Sequence, residues 1–272
     1  MLVRYSLITI ALLVGCSSQT RTAAAAPATA EAKARELLQH QLDVSKGSPD
    51  AVKKTFTDDA VVFTKGKATT VDIVTFFGLA DGGPDGMKAE KATIAKLLAG
   101  GNSDAIWFYA EVAVKWKTPA GGKESSTTRV IEVATAADQW KVVAAAFGEG
   151  GELAAMASNR EIENATAADG PLAKLLGAPD AAAAKLAPDA IVVGPTTAVQ
   201  GKGARDALAS WKLEPMHVFK RAREVRTATW GFAQANLDHP VGADTDRVAG
   251  LVVAVPEAGG GWRVVLAQYV NR

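Results

Sequence analysis

The sequence predicts an α+β protein made of two tandem domains, each an antiparallel sheet set against a few helices. Three observations predict it. The chain is 272 residues long, more than one ordinary core fills. Residues 49–63, PDAVKKTFTDDAVVF, recur 130 residues on as PDAAAAKLAPDAIVV. Each copy then runs from short helical patterns into several long alternating strands.

The chain opens with Arg4, an apolar stretch over residues 7–14, Gly15 and then Cys16. This order of positive start, apolar run and small residue reads as a secretory signal over residues 1–15. The apolar run is shorter than the roughly 20 residues that span a bilayer. Cys16 is the only cysteine. Its place after Leu13-Val14-Gly15 looks like a bacterial lipobox, in which the cysteine is lipidated after cleavage. Several acyl chains on Cys16 would hold the protein to a membrane, at about 0.8 kcal/mol per buried methylene. Ser17 rather than Asp follows, which resembles sorting to the outer membrane, facing the periplasm. Residues 16–30 are rich in Ala, Thr and Ser and read as a flexible tether.

With no cysteine beyond Cys16, the folded part forms no disulfide and no cysteine-ligated metal site. The three histidines, His40, His217 and His239, lack the spacing of a helical metal pair, so no metal is expected. Gly201-Lys202-Gly203 lacks the spacing of a phosphate loop and reads as a turn, so no cofactor is expected. A net charge of +1 gives no argument for nucleic acid as a partner.

The first domain is placed at residues 31–150. Residues 32–45 carry apolar positions at helical spacing. Pro49-Asp50 opens a second, short helix, where proline loses no hydrogen bond and aspartate meets the positive helix end. Asp59-Ala60-Val61-Val62-Phe63 is a strand. Residues 70–77 suggest a helix, and residues 78–86 a Gly/Asp/Pro loop. Residues 91–98 read as a strand, with a helix as the alternative. Strands follow at 105–117, 125–134 and 139–147, with a hairpin turn at 119–122. The second domain is placed at residues 151–272, with a helix or linker at 152–166 and turns at 240–243 and 256–261. Trp107-Phe108-Tyr109 parallels Trp230-Gly231-Phe232, Arg129-Val130 parallels Arg247-Val248, and Trp140 parallels Trp262.

Alternation sorts the 105–117 strand into two faces. Ile106, Phe108, Ala110, Val112, Val114 and Trp116 form an apolar face toward the helices. Trp107, Tyr109, Glu111, Lys115 and Lys117 form a mixed face, suited to the outer sheet surface or to a domain contact. In the second copy Thr229, Gly231, Ala233 and Ala235 are small. They leave room for close helix approach or for a ligand, and close packing is the preferred reading. Lys220, Arg221, Arg223 and Arg226 could meet anionic headgroups or an acidic ligand, or form a solvated strand face.

The Pro-Asp-Ala helix leading into Asp59–Phe63, the Trp107 strand, the Arg129 strand and the Trp140 strand together resemble the nuclear transport factor 2-like superfamily. Its SnoaL-like and ketosteroid-isomerase-like branches are the nearest picture, over residues 31–272. The resemblance implies two tandem cone-shaped domains, each a curved antiparallel sheet wrapped around helices, packed together as a pseudo-dimer. It also implies a pocket in the cone, where enzymatic members place an Asp, His or Tyr. No residue of this chain maps onto that role. The candidate binding or interface residues are therefore Trp107, Tyr109, Trp230 and His217, with Cys16 for lipid attachment. The expected function is a non-catalytic, envelope-anchored module for a small apolar ligand or an envelope protein. The alternative is a ketosteroid-isomerase-like or polyketide-cyclase-like enzyme using a carboxylate or His217 in one cone.

Overall fold

A computed structural model describes residues 27–46, 49–64, 67–70, 86–149, 166–167, 169–241 and 244–269. Cys16, the signal segment, and most of the segments read as a helix at 70–77 and a helix or linker at 152–166 lie outside these residues. The fold is α+β, with two curved sheets and few helices.

The first domain runs α1 (Pro27–Ser45), α2 (Pro49–Lys53), β1 (Phe56–Thr64), β2 (Lys67–Thr70), β3 (Lys88–Gly101), β4 (Ala105–Lys117), β5 (Lys123–Thr135) and β6 (Lys141–Glu149). The tether is shorter than its composition suggested. Helix α1 already begins at Pro27, because proline is preset for the first helical position and the following alanines favour helix. The segment at 91–98 is strand, inside the longer β3. A two-bond turn, in which the Thr118 N–H donates to Gly122 O and the Gly121 N–H donates to Thr118 O, with Gly121 at φ 83°, joins β4 to β5.

The second domain runs β7 (Thr166–Ala167), α3 (Pro171–Gly177), α4 (Pro179–Ala184), β8 (Leu186–Val193), β9 (Ala198–Gln200), α5 (Ala204–Ser210), β10 (His217–Arg226), β11 (Gly231–Val241), β12 (Asp244–Pro256) and β13 (Trp262–Gln268). The sheets are ordered β2-β1-β6-β5-β4-β3 and β7-β10-β11-β12-β13-β8-β9. Each is mostly antiparallel but not wholly so. In each copy the last strand returns beside the strand that follows the Pro-Asp helix and runs parallel to it: β6 along β1, and β13 along β8.

The duplication is visible irregularity by irregularity. A bulge between Val133 and Ala134 opposite β6 matches one between Val253 and Ala254 opposite β13. The Asn102 N–H donates to Ala105 O at 2.8 Å, as the Thr227 N–H does to Trp230 O at 2.8 Å. These landmarks correct the sequence pairing. Trp230 stands where Ala105 does, and the counterpart of Trp107 is Phe232. Arg247 likewise takes the place of Thr127, not Arg129. Both slips are of two residues, so each side chain stays on the expected face of its strand. Sequence similarity alone is insensitive to such a slip.

One face of the first sheet is covered by helix. Ile106, Phe108, Ala110, Val112, Val114 and Trp116 pack in one cluster with Leu37, Leu38 and Leu42 of α1. The other face meets the second sheet. Val61, Phe63, Trp107, Tyr109, Ile131 and Val133 share a single buried cluster with residues of β8 and β10–β13. Polar bonds cross this seam. Arg223 reaches Asp59 at 2.6 Å, Gln234 Nε2 donates to Ala145 O at 3.1 Å, and Gln200 Nε2 donates to Ala99 O at 3.0 Å. Asn102 Nδ2 donates to Thr229 O at 3.0 Å, so the two matching hairpin loops touch each other.

Candidate functional site

The helix-facing side of β5 carries an unexpected charge. Glu132 sits directly opposite Phe108 in the β4–β5 register, so its side chain enters the apolar layer under α1. It is 0% exposed. Helix α1 supplies its partner. Gln41, one turn from Leu37 and Leu38 on the buried stripe, donates through Nε2 to both carboxylate oxygens, at 3.1 and 3.3 Å. The same Nε2 lies 3.3 Å from Thr55 Oγ1, whose own proton goes to Val52 O at 2.7 Å.

Burial dominates the chemistry of Glu132. Loss of water disfavours the carboxylate and lifts its pKa from 4.5 to about 8, while the donation from Gln41 pulls the other way. The group therefore holds a proton near neutrality. Gln41 Oε1 is buried and has no hydrogen-bonding partner among the described residues. The site thus combines a neutral-leaning acid, an amide donor and an open acceptor inside an apolar layer.

The second domain lacks this arrangement. The matched bulges place Val252 where Glu132 stands, and Ala233 where Phe108 stands. Val252 is fully buried. Gly231 on β11 admits the helix closely: a Cβ there would lie 2.9 Å from Leu172 Cδ1 of α3. Gly231 therefore serves close helix approach. The same architecture closes over valine, so the fold does not need a carboxylate at this position.

The sequence candidates fall elsewhere. Trp107 and Tyr109 lie in the seam, at 5% and 0% exposure. The Tyr109 hydroxyl donates to Glu111 Oε1 at 2.7 Å and accepts from Arg129 Nε at 2.8 Å, and Arg129 in turn donates to Pro195 O across the seam. Burial foremost lifts the Tyr109 hydroxyl to about 12. Trp230 is buried and stacks on Phe232, with ring centroids 6.0 Å apart. His217 is exposed at the start of β10, paired in register with Asp238, and is far from being a buried acid or base. It is thus not brought together with the other three. The basic stretch is also divided: Arg223 is committed to Asp59, and Arg226 Nε lies 3.1 Å from Glu224. Lys220 adopts φ 55° at a bulge, which breaks the simple two-face alternation.

Glu132 and Gln41 were missed in the sequence reading. A signal existed. On β5 the positions Val130, Glu132 and Ala134 share one face, and a lone charge between apolar neighbours marks a buried polar group.

No protein-family model matches the chain, and no curated protein does. Solved structures similar to it include a conserved protein from Planctomyces limnophilus, at 14% identity over 45% of this chain and 97% of its own, with a TM-score of 0.34. A ketosteroid isomerase-like protein from Erwinia carotovora atroseptica aligns at 14% identity over 44% of this chain and 95% of its own, with a TM-score of 0.33. An NTF2-like protein from Cytophaga hutchinsonii aligns at 14% identity over 42% and 91%, with a TM-score of 0.32.

Proposed function

We propose that the chain is an envelope-anchored lipoprotein whose first domain binds a small apolar ligand through a polar anchor at Glu132 and Gln41. The second domain serves as its packed partner. The observation that carries this reading is the buried acid kept in one copy and replaced by Val252 in the other. Burying an ionisable group costs free energy that valine in the same fold avoids. Gln41 Oε1 would accept from a ligand hydroxyl, and protonated Glu132 would donate to a ligand carbonyl. The apolar walls, Phe108 and Leu38 among them, suit an uncharged ligand.

The pairing of the domains is read as an internal pseudo-dimer. The equivalent hairpin loops meet each other, and the equivalent sheet faces share one core, as in an isologous contact. Membrane attachment through Cys16, at an outer membrane and facing the periplasm, rests on the lipobox-like sequence.

A second reading is an enzyme in which Glu132 transfers a proton, as a ketosteroid-isomerase-like acid or base would. The pKa near neutrality favours it, because a proton-transfer group works best near the ambient pH.

Native mass spectrometry of the envelope-extracted protein tests the proposal. An acyl mass on Cys16 and a retained small molecule are expected, with the small molecule lost in Glu132→Val and the acyl mass kept. Retention of the same molecule by Glu132→Val would sink the site assignment. An unmodified Cys16 would sink the anchor. Turnover of the retained molecule, abolished in Glu132→Gln, would select the enzyme.

A further inference from the structure

The seam between the sheets contains amides that the protein leaves unanswered. Gln234 on β11 and Gln268 on β13 are both paired in register with Leu251 on the strand between them. They therefore lie in one row, on one face of the second sheet. That face is the seam, because Gln234 Nε2 donates across it to Ala145 O. Tyr269, the next residue along, points the opposite way and donates to Leu175 O of α3. Both glutamines are 0% exposed. Among the described residues, Gln234 Oε1 and both amide atoms of Gln268 have no hydrogen-bonding partner in the protein.

The matched bulges place Ala146 at the position of Gln268 in the first copy, and Ala144 at that of Leu266. The first sheet thus presents short side chains to the seam along β6. In the first copy the counterpart of Gln234 is Tyr109, whose hydroxyl is bonded on both sides. At these matched positions the open amides belong to the second sheet.

An unanswered buried amide is costly, and buried polar groups in native proteins nearly always find a partner, either protein or ordered water. The open set here is two carbonyl acceptors and one amino donor. Such a set suits water, which both donates and accepts, and which buried sites hold through two to four polar partners. The two amides carry no net charge of their own, so they suit a neutral partner.

We propose that the inter-domain seam holds ordered water that bridges Gln268 to Gln234, making the contact between the two domains a hydrated one. A high-resolution crystal structure of the unmodified protein is the direct test. One or more single-oxygen peaks within hydrogen-bonding distance of both amides are expected. A dry seam with the amides paired to protein overturns the proposal, and so does a polyatomic solute in that position. Thermal melts give an independent readout. With bridging water, Gln268→Leu lowers Tm, and adding Gln234→Leu costs less than it does alone, because the bridge is already lost. A rise in Tm for Gln268→Leu, with additive effects in the double variant, marks two dry orphan amides and overturns the proposal. Should Gln268→Leu fail to fold, the crystal structure of the unmodified protein decides.

Discussion

The backbone N–H of Ala173 donates to Glu224 Oε2 at 2.8 Å, so a strand carboxylate caps a helix 51 residues away. Helix α3 has Gly170 at its N-cap and no side-chain cap of its own. The negative carboxylate answers both the open Ala173 N–H and the positive end of the helix. It fixes α3 against β10.

Glu224→Ala removes that cap, and its loss is expected to cost about 1–2 kcal/mol. Urea unfolding measures it. Gly170→Ala tests the same contact from the other side, since a Cβ there would lie 2.3 Å from Glu224 Oε2. It is expected to destabilise as well, by displacing the carboxylate. A Gly170→Ala variant as stable as the parent would show that the cap is dispensable.

Glu132 makes stability fall as pH rises. Its folded pKa of about 8 lies above the ordinary 4.5, so the folded state holds the proton more tightly than the unfolded chain. Between those two values the unfolded state binds fewer protons, and each step up in pH favours unfolding. The contribution is full below pH 4.5 and is lost by about pH 8, on the order of a few kcal/mol in total. Glu132→Gln is expected to flatten this slope. Unfolding free energies across the pH range, in parent and variant, measure the difference.

Trp107 holds the seam from the first sheet. Truncation by Trp107→Ala is expected to cost about 3–5 kcal/mol, as for a large buried aromatic. Part of the loss falls on the domain contact, so proteolysis of residues 227–229, which face the first domain, is expected to quicken. An unchanged cleavage rate would assign Trp107 to the first domain's own stability.

Gly231 tests the packing of the second domain. A Cβ would lie 2.8 Å from Val225 O and 2.9 Å from Leu172 Cδ1. Gly231→Ala is expected to destabilise by about 1–3 kcal/mol through overpacking, despite the better strand propensity of alanine. A stabilised variant would mean that α3 has slack against β11. Thermal denaturation distinguishes the two.

Arg223 and Asp59 form an ionic contact across the seam, at 2.6 Å. Burial lowers the Arg223 pKa and Asp59 acts against that shift. Because the Asp59 side chain is 69% exposed, the pair is partly screened. A double-mutant cycle over Arg223→Ala and Asp59→Ala is expected to return about 1 kcal/mol or less of coupling.

Much of the fold was legible in the residues. Strand β4 falls at residues 105–117 as its alternation required, and the face holding Phe108 and Trp116 packs under α1. The role of Gly231 was legible as close packing. The sheet pairing was legible only in part. Trp107 and Trp230 look alike but stand two positions apart in the superposed copies, because equivalence is set by backbone bulges and hairpin bonds.

The site was largely illegible for a related reason. His217 stood out as a rare residue type, yet it lies on the surface. Glu132 is an ordinary residue type in an acidic-and-basic chain, and its surroundings come from α1, 91 residues earlier than itself.

The sequence alone determined the two copies, the helix-then-strand order of each, and the helix-facing side of β4. These follow from local rules: propensity, periodicity and turn chemistry act over a few residues. The tertiary structure decided which charge is buried, which sheet faces meet, and where the amides are left open. Those depend on the desolvation of one group by others distant in the chain. A carboxylate that looks ordinary at Glu132 becomes a neutral-leaning acid only when α1 closes over it.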